Sequence, residues 1–226
     1  MGEETSHPGH ASELAKEWDL ASWSAIATVS GDGLFHEVIQ GLMDRPDWDK
    51  ARRIPLALIP AGSGNGVTTS LDIFGAIDGT FCLIKGYTEQ VDLMALATKA
   101  GRRIYCHLAL FWGLIADADL DSNAYRWMGP ARFTIYTLYR IVFLRSYPAR
   151  LRYLLAENHE GAHISESNES EALQPPLAYS ESGFGPLSEG WKEFDESFVM
   201  LCAVLMHWVS QDVYLAPGAQ YVSLFL

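Results

Sequence analysis

A chain of 226 residues that is 49% hydrophobic and carries seven tryptophans can bury a real core in one large domain or two small ones, which excludes a disordered or fibrous protein. Its three cysteines, Cys82, Cys106 and Cys202, are far apart and form no C-x-x-C pair, which argues against a disulfide frame or zinc site and for reduced thiols in a cytoplasmic protein. The net charge of −12 is uneven: residues 156–196 hold ten carboxylates and one lysine, whereas 126–152 hold six arginines and no acid.

The opening MGEETSHPGHASEL has neither a basic segment nor an apolar one and does not read as a secretory signal. The acids after Gly2 suit a myristoylation signal poorly. A membrane span needs about 18 uninterrupted apolar residues, and the nearest approach, 133–144, is broken by Arg140.

In chain order, residues 11–20 predict a short amphipathic helix and 23–29 a buried strand. The tetrad Ser30-Gly31-Asp32-Gly33 follows, and Leu34, Val38 and Leu42 at i, i+4 and i+8 mark a helix after it. DRPDWDKARR reads as a polar connection. IPLALIP is a second buried strand, leading through AGSGNGVTTSL into another helix. Two successive strand–glycine loop–helix units predict an α/β fold with a parallel sheet. From Thr80 the texture turns to strands (TFCLIKGYTEQVDLMAL and RRIYCHLALFWGLI), then to helix over 119–144. FVMLCAVLMHWV reads as one further strand. The acidic stretch 156–196, rich in Ser, Glu, Pro and Gly, reads as a disordered insertion. A domain boundary is expected at 80, giving units 1–80 and 81–226.

Helix N-termini carry unpaired N–H groups, and glycine lets the backbone close on a phosphate. In a parallel sheet both glycine loops leave the carboxyl ends of their strands and share one crevice. That placement makes 1–80 a nucleotide-binding domain and sets Asp32 at the rim of a phosphate site. There it can act as a base, or it can cap a helix; both readings stand. The Asp117-x-Asp119 acids read equally as loop acids or a helix cap, and the arginines of 126–152 as a solvated face. His36 and His107 read as packed or surface histidines, and the aromatics of RFTIYTLYRIVF, at helical spacing, as core.

SGDGLFHEVIQGLMDRPDW, PAGSGN and WGLIADADLDSNAYRWMGPARFT together resemble the sphingosine kinases, within the superfamily of diacylglycerol and ceramide kinases. The likeness covers 5–153 and resumes weakly over 191–217. GDG and GSGN fit the whole superfamily, and the W-G-x-I-A-D-x-D-L segment points to sphingosine kinase. The resemblance implies an ATP-dependent kinase that phosphorylates sphingosine or a related long-chain base, with Asp32 as general base and Ser30, Gly31 and Gly33 beside it. It implies nucleotide contacts from Thr5, Gly62, Ser63, Gly64, Arg126 and Arg132, and a head-group acid in Asp119 beside the apolar Leu114 and Ile115. It makes 81–226 a mostly β lipid-binding domain.

Mg²⁺ is expected to arrive with ATP, so no protein metal site is expected. Peripheral membrane contact is expected and a homo-oligomer is allowed; no nucleic-acid partner is expected. Relative to the family, this sequence reads as a central portion, without the first strand, its glycine-rich loop and a C-terminal Asp-Gly-Glu motif. Asn123 stands in place of an acid, and Thr68 and Thr69 in place of small apolar residues. The alternatives are an inactive fragment that binds lipid or nucleotide or regulates a partner, and a ceramide or diacylglycerol kinase.

Overall fold

Where the apolar run Ile26–Ser30 (β1) ends at Gly31, the backbone passes from strand to helix within one residue. The computed structural model describes residues 2–62, 64–98, 101–129, 131–154, 179–180, 183–184 and 191–218. They fall into two units, Met1–Ala109 with Val204–Leu226, and Leu110–Ala203.

The first unit begins with helix α1 (His10–Glu17) and a 3-10 turn, Leu20–Ser22, before β1. Then come α2 (Asp32–Met43), α3 (Trp48–Ala51), β2 (Leu56–Pro60), α4 (Gly66–Ser70) and α5 (Ala76–Lys85). β1 and β2 pair in parallel, from Ile26 opposite Leu56 to Ser30 opposite Pro60. The expected α/β arrangement of two strand–loop–helix units is therefore present. α2 is apolar on two sides, as its sequence spacing requires. Phe35, Ile39 and Met43 pack with Leu58, Val67 and Met206, whereas Val38 and Leu42 pack with Ala11, Ala15, Ile26 and Ala51.

DRPDW is more than a polar connection. Arg45 Nη1 donates to the carbonyls of Ala15, Lys16 and Trp18 at 3.1, 2.8 and 2.9 Å, and Asp47 holds the same guanidinium. One side chain thus serves carbonyls at the end of α1 that no helical amide can reach.

Residues 80–85 are helical, where strand was expected. Ile77, Phe81 and Ile84 follow the 3.6-residue period, and Gly86 (φ 69°) ends the helix. The β-prone composition of TFCLI concealed that period. β3 (Met94–Ala97) and β4 (Arg103–Cys106) form an antiparallel hairpin in the same unit. Gln40 of α2 mimics a strand there, donating to Tyr105 O (2.6 Å) and accepting from Tyr105 N (3.1 Å). The boundary expected at residue 80 lies inside α5, and the units divide instead at 109/110 and 203/204.

In the second unit β5 (Ala109–Gly113) leads into α6 (Leu114–Ser122), a 3-10 segment Asn123–Met128 and α7 (Ala131–Val142). Helix therefore begins at Leu114, ahead of the expected residue 119. β6 (Tyr147–Leu154), the short pair β7 (Tyr179–Ser180) and β8 (Gly183–Phe184), β9 (Trp191–Phe198) and β10 (Met200–Val204) complete it, with β10 beside β5. β6 and β9 are antiparallel, with Arg150 opposite Asp195 and Arg152 opposite Glu193. Arg150 Nη2 bonds Asp195 at 2.5 Å, and Arg152 Nε bonds Glu193. Part of the basic segment is thus matched by the end of the acidic one, which is strand from 191 rather than disordered insertion to 196. Residues 156–178, 181–182 and 185–190 of that stretch lie outside the described residues.

α7 departs most from expectation. Phe133, Ile135, Leu138, Tyr139, Ile141, Val142 and Phe143 are exposed, and the buried residue is Arg140. The chain then re-enters the first unit as β11 (Trp208–Ser210) and β12 (Val213–Tyr214). FVMLCAVLMHWV is accordingly the end of β9, then β10 and β11, rather than one strand. Ser70 Oγ at the end of α4 both donates to and accepts from the Trp208 backbone.

His107 is 4% exposed in the first unit, 5.4 Å from the Phe35 ring and 5.7 Å from that of His36, with no hydrogen-bond partner at either nitrogen among the described residues. Burial, and then the neighbouring His36, lower its pKa from 6.5 to about 4. The folded protein therefore holds it neutral, while the unfolded chain takes up a proton below pH 6.5. Stability is expected to fall between pH 6.5 and about 4 by roughly 3 kcal/mol through this group. Denaturant titrations at stepped pH should show that slope, and His107→Leu should flatten it by about one proton.

Candidate functional site

The shared register of β1 and β2 delivers both glycine loops to one end of the pair. Ala61 N donates to Ser30 O at 2.9 Å, and Asp32 N to Gly64 O at 3.1 Å. A Cβ on Gly62 would lie 2.5 Å from the Cα of Gly31, and one on Gly31 would lie 2.7 Å from Gly64 O. Two backbones meet here at a distance only glycine permits. Gly33 and Gly64 differ: a Cβ on either would meet nothing within 4 Å. Packing explains the first pair of glycines and leaves the second pair facing open space.

Asp32 is the first residue of α2, yet its carboxylate serves the other loop. Oδ2 accepts from Gly66 N at 2.7 Å and Oδ1 from Val67 N at 3.3 Å, capping α4. Asp32 therefore does not cap the helix it begins, whose N-cap is Gly31, and its carboxylate caps the neighbouring helix instead. Burial raises the Asp32 pKa above the ordinary carboxylate value, against the opposing pull of the Gly66 and Val67 amides. A fixed carboxylate of raised basicity suits proton abstraction. Asn65, 1% exposed, ties the loop by donating to Gly62 O at 2.7 Å. The hydroxyls of Thr68 and Thr69 both donate to Asn65 O, so these polar replacements in α4 are satisfied. Ser30 Oγ bonds Gly31 O, Thr5 is exposed ahead of α1, and Ser63 lies outside the described residues.

In the second unit Gly113 starts α6 at φ 81°, a conformation that favours glycine. A Cβ there would also lie 2.4 Å from Val199 O, the carbonyl that accepts from Leu114 N. The glycine of the W-G pair is therefore required by how α6 is hung on the backbone before β10. α6 carries Asp117, Asp119 and Asp121, with Leu114 and Ile115 half-buried in its first turn.

Arg140 and the Tyr147 hydroxyl both donate to Asp117, and the Tyr136 hydroxyl donates to Asp121 at 3.0 Å. The Asp119 side chain is exposed and has no such partner among the described residues. Arg132 donates to Asn123 Oδ1 at 3.0 Å and Ser122 O at 3.4 Å, and lies over the Phe133 ring. The side chain of Arg126 is outside the described residues. Sequence reading missed Arg140 and Tyr147; the one available signal was a lone charge interrupting the apolar run 133–144. Among the described residues no group of three or more His, Cys, Asp or Glu is placed to hold a metal ion.

Residues 2–96 match the diacylglycerol kinase catalytic domain. Human sphingosine kinase 1 is 36% identical over 224 residues, covering 94% of this chain and 58% of that protein. Sphingosine kinase 2 of Arabidopsis thaliana is 36% identical over 229 residues, covering 97% and 47%. A diacylglycerol kinase crystal structure from Bacillus anthracis strain Sterne aligns with a TM-score of 0.53 at 18% identity, over 92% of this chain and 53% of that one. The chain thus spans about half the length of the curated relatives it matches.

The two pairs of glycines should separate on substitution. Gly31→Ala and Gly62→Ala force backbones apart and are expected to cost about 1–3 kcal/mol. Gly33→Ala, in the first turn of α2 with free space beside it, should leave stability unchanged or raise it by up to about 1 kcal/mol. Denaturant midpoints of the three variants test this, and equal losses at all three positions would contradict it.

Proposed function

The chain belongs with the sphingosine kinases, within the diacylglycerol kinase superfamily, and we propose that the protein transfers the γ-phosphate of ATP to the primary hydroxyl of sphingosine or a related long-chain base. The observation that carries this reading is the Asp32 carboxylate, fixed by two amides of α4 beside Gly33 and Gly64, whose open sides leave room for phosphate oxygens.

In the proposed step a carboxylate oxygen of Asp32 takes the hydroxyl proton as the hydroxyl oxygen bonds to the γ-phosphorus. The bond from that phosphorus to the bridging oxygen breaks, and ADP leaves. Positioning and charge neutralisation carry most of such a reaction. Mg²⁺ delivered with ATP would neutralise part of the phosphate charge when bound. Thr5, Gly62, Ser63 and Arg126 are proposed as further nucleotide contacts. Arg132 commits Nη1 to the end of α6, and among the described residues its other nitrogens have no hydrogen-bond partner and are proposed to meet a phosphate. Asp119, whose side chain has no partner among the described residues, is proposed to accept the ammonium of the base, with Leu114 and Ile115 beside its chain. The exposed Ile135, Leu138, Val142 and Phe143 support peripheral contact with a membrane, and a cytoplasmic location is proposed with it.

Radiolabel transfer from ATP by the full-length protein, offered sphingosine, ceramide and diacylglycerol in turn, tests the reading. Label is expected chiefly in sphingosine; chief labelling of ceramide or diacylglycerol reassigns the lipid, and no labelling favours a non-catalytic role. Asp32→Asn should keep nucleotide binding and lower kcat by about 10²–10⁴. Turnover within a few-fold of the parent would leave Asp32 as a cap alone. Asp119→Ala should raise KM for sphingosine and leave KM for ATP unchanged; equal KM for sphingosine would return Asp119 to a solvated acid.

A further inference from the structure

The acids of α6 are sorted by face. Asp117 and Asp121, one turn apart, point to α7, whose residues 132, 136 and 140 share one face at i, i+4 and i+8. Each of those three grips α6: Arg132 holds Ser122 and Asn123, Tyr136 holds Asp121, and Arg140 holds Asp117. Asp119 lies two residues from Asp117, about 200° round the helix. It is the acid that α7 leaves alone.

Arg140 is the anomalous member of this set. Its side chain is 2% exposed, and its guanidinium donates to Asp117 and to the Phe143 carbonyl. The Tyr147 hydroxyl, from β6, donates to the same Asp117 oxygen. A buried ion pair of this kind adds little net stability, because an apolar pair of similar volume often does as well. What it adds is direction. A forked, fixed donor can hold a carboxylate in one place, and the neighbours of Arg140 on α7, Leu138, Tyr139, Ile141 and Val142, are exposed.

We propose that Arg140 is a positioning residue: by holding Asp117, with help from Tyr147, it sets the rotation of α6 about its axis and thereby aims Asp119 at the ammonium of the long-chain base. The proposal rests on the reading of Asp119 as the ammonium acceptor. Carboxylates project about 5–6 Å from a helix axis. A 20° rotation of α6, chosen as an example, would therefore move Asp119 by about 2 Å, enough to break a hydrogen bond.

The test is steady-state kinetics on the full-length protein with sphingosine and ATP varied separately. Arg140→Lys keeps the charge and loses the fork. It is expected to raise KM for sphingosine about tenfold, with KM for ATP within about twofold. The Asp117→Leu/Arg140→Met pair, which removes the buried charges together, should melt within a few degrees of the parent and show the same rise. Tyr147→Phe, a milder change that serves if the others fail to fold, should move KM the same way by a smaller factor.

A double-mutant cycle makes the positioning role specific. In the Asp119→Asn background, Arg140→Lys should add nothing to KM for sphingosine. Full additivity with Asp119→Asn, or equal effects on both substrates, would overturn the proposal and leave Arg140 as packing. If Asp119→Asn raises KM for sphingosine while Arg140→Lys and Tyr147→Phe do not, positioning alone fails. If Asp119→Asn itself has no effect, the reading of Asp119 fails and the proposal falls with it.

Discussion

The contact between Gly31 and Gly62 is the constraint from which the first unit is built. Two peptide backbones lie where a single methyl group could not be inserted. That proximity requires β1 and β2 to end level, as Ser30 and Pro60 do. It brings the amides of Gly66 and Val67 within reach of Asp32, so one carboxylate begins its own helix and caps another. α2 is then held along its length by apolar rows on two sides and by Gln40 against the Tyr105 backbone. A carboxylate on such a helix has little freedom to wander. Preorganisation of this kind is what a group-transfer site requires, since reorganisation at the moment of reaction is what slows it.

The second unit is organised by charge where the first is organised by close packing. Its arginines do not form the uniform solvated face that a basic stretch suggests. Arg150 and Arg152 pair across the β6–β9 ladder, Arg132 closes the end of α6, and Arg140 is buried against Asp117. The polar residues of α7 therefore face its neighbour and the apolar ones face outward, the reverse of an ordinary surface helix. An outward apolar face is costly in water and suits the peripheral membrane contact proposed above.

What could be read from the sequence followed from local rules. The two strand–loop–helix units were legible because an apolar run, a glycine cluster and a helical period stand in order, and each is a local signal. α5 was misread because Thr80, Phe81 and Cys82 favour strand by type, while the periodicity that overrides them starts upstream at Ile77. α7 was misread because amphipathic spacing tells which residues share a face and is silent about which face is buried. The pairings of Arg140 and Arg45 were invisible for a related reason. Their partners lie 23 and up to 30 residues away, and no window of sequence shows that two such groups will meet. For the site, the Asp32 position was legible, whereas the amides that fix it depend on the register of two strands.

The first unit is discontinuous in the chain, and this bears on how the protein is made. Met206 is one of the residues packed against α2 and β2, and Ser70 is bonded to the backbone of Trp208, 138 residues later. A ribosome releases the glycine loops early, but their supporting core lacks its last contributors until nearly all of these 226 residues have been synthesised. Residues 110–203 emerge in the interval. At the usual elongation rates of about 5–20 residues per second the nascent first unit waits roughly 5–30 s for completion. Over that time Leu58 and Val67 lack the cover of Met206, so completion of this core is tied to the speed at which residues 110–203 are translated.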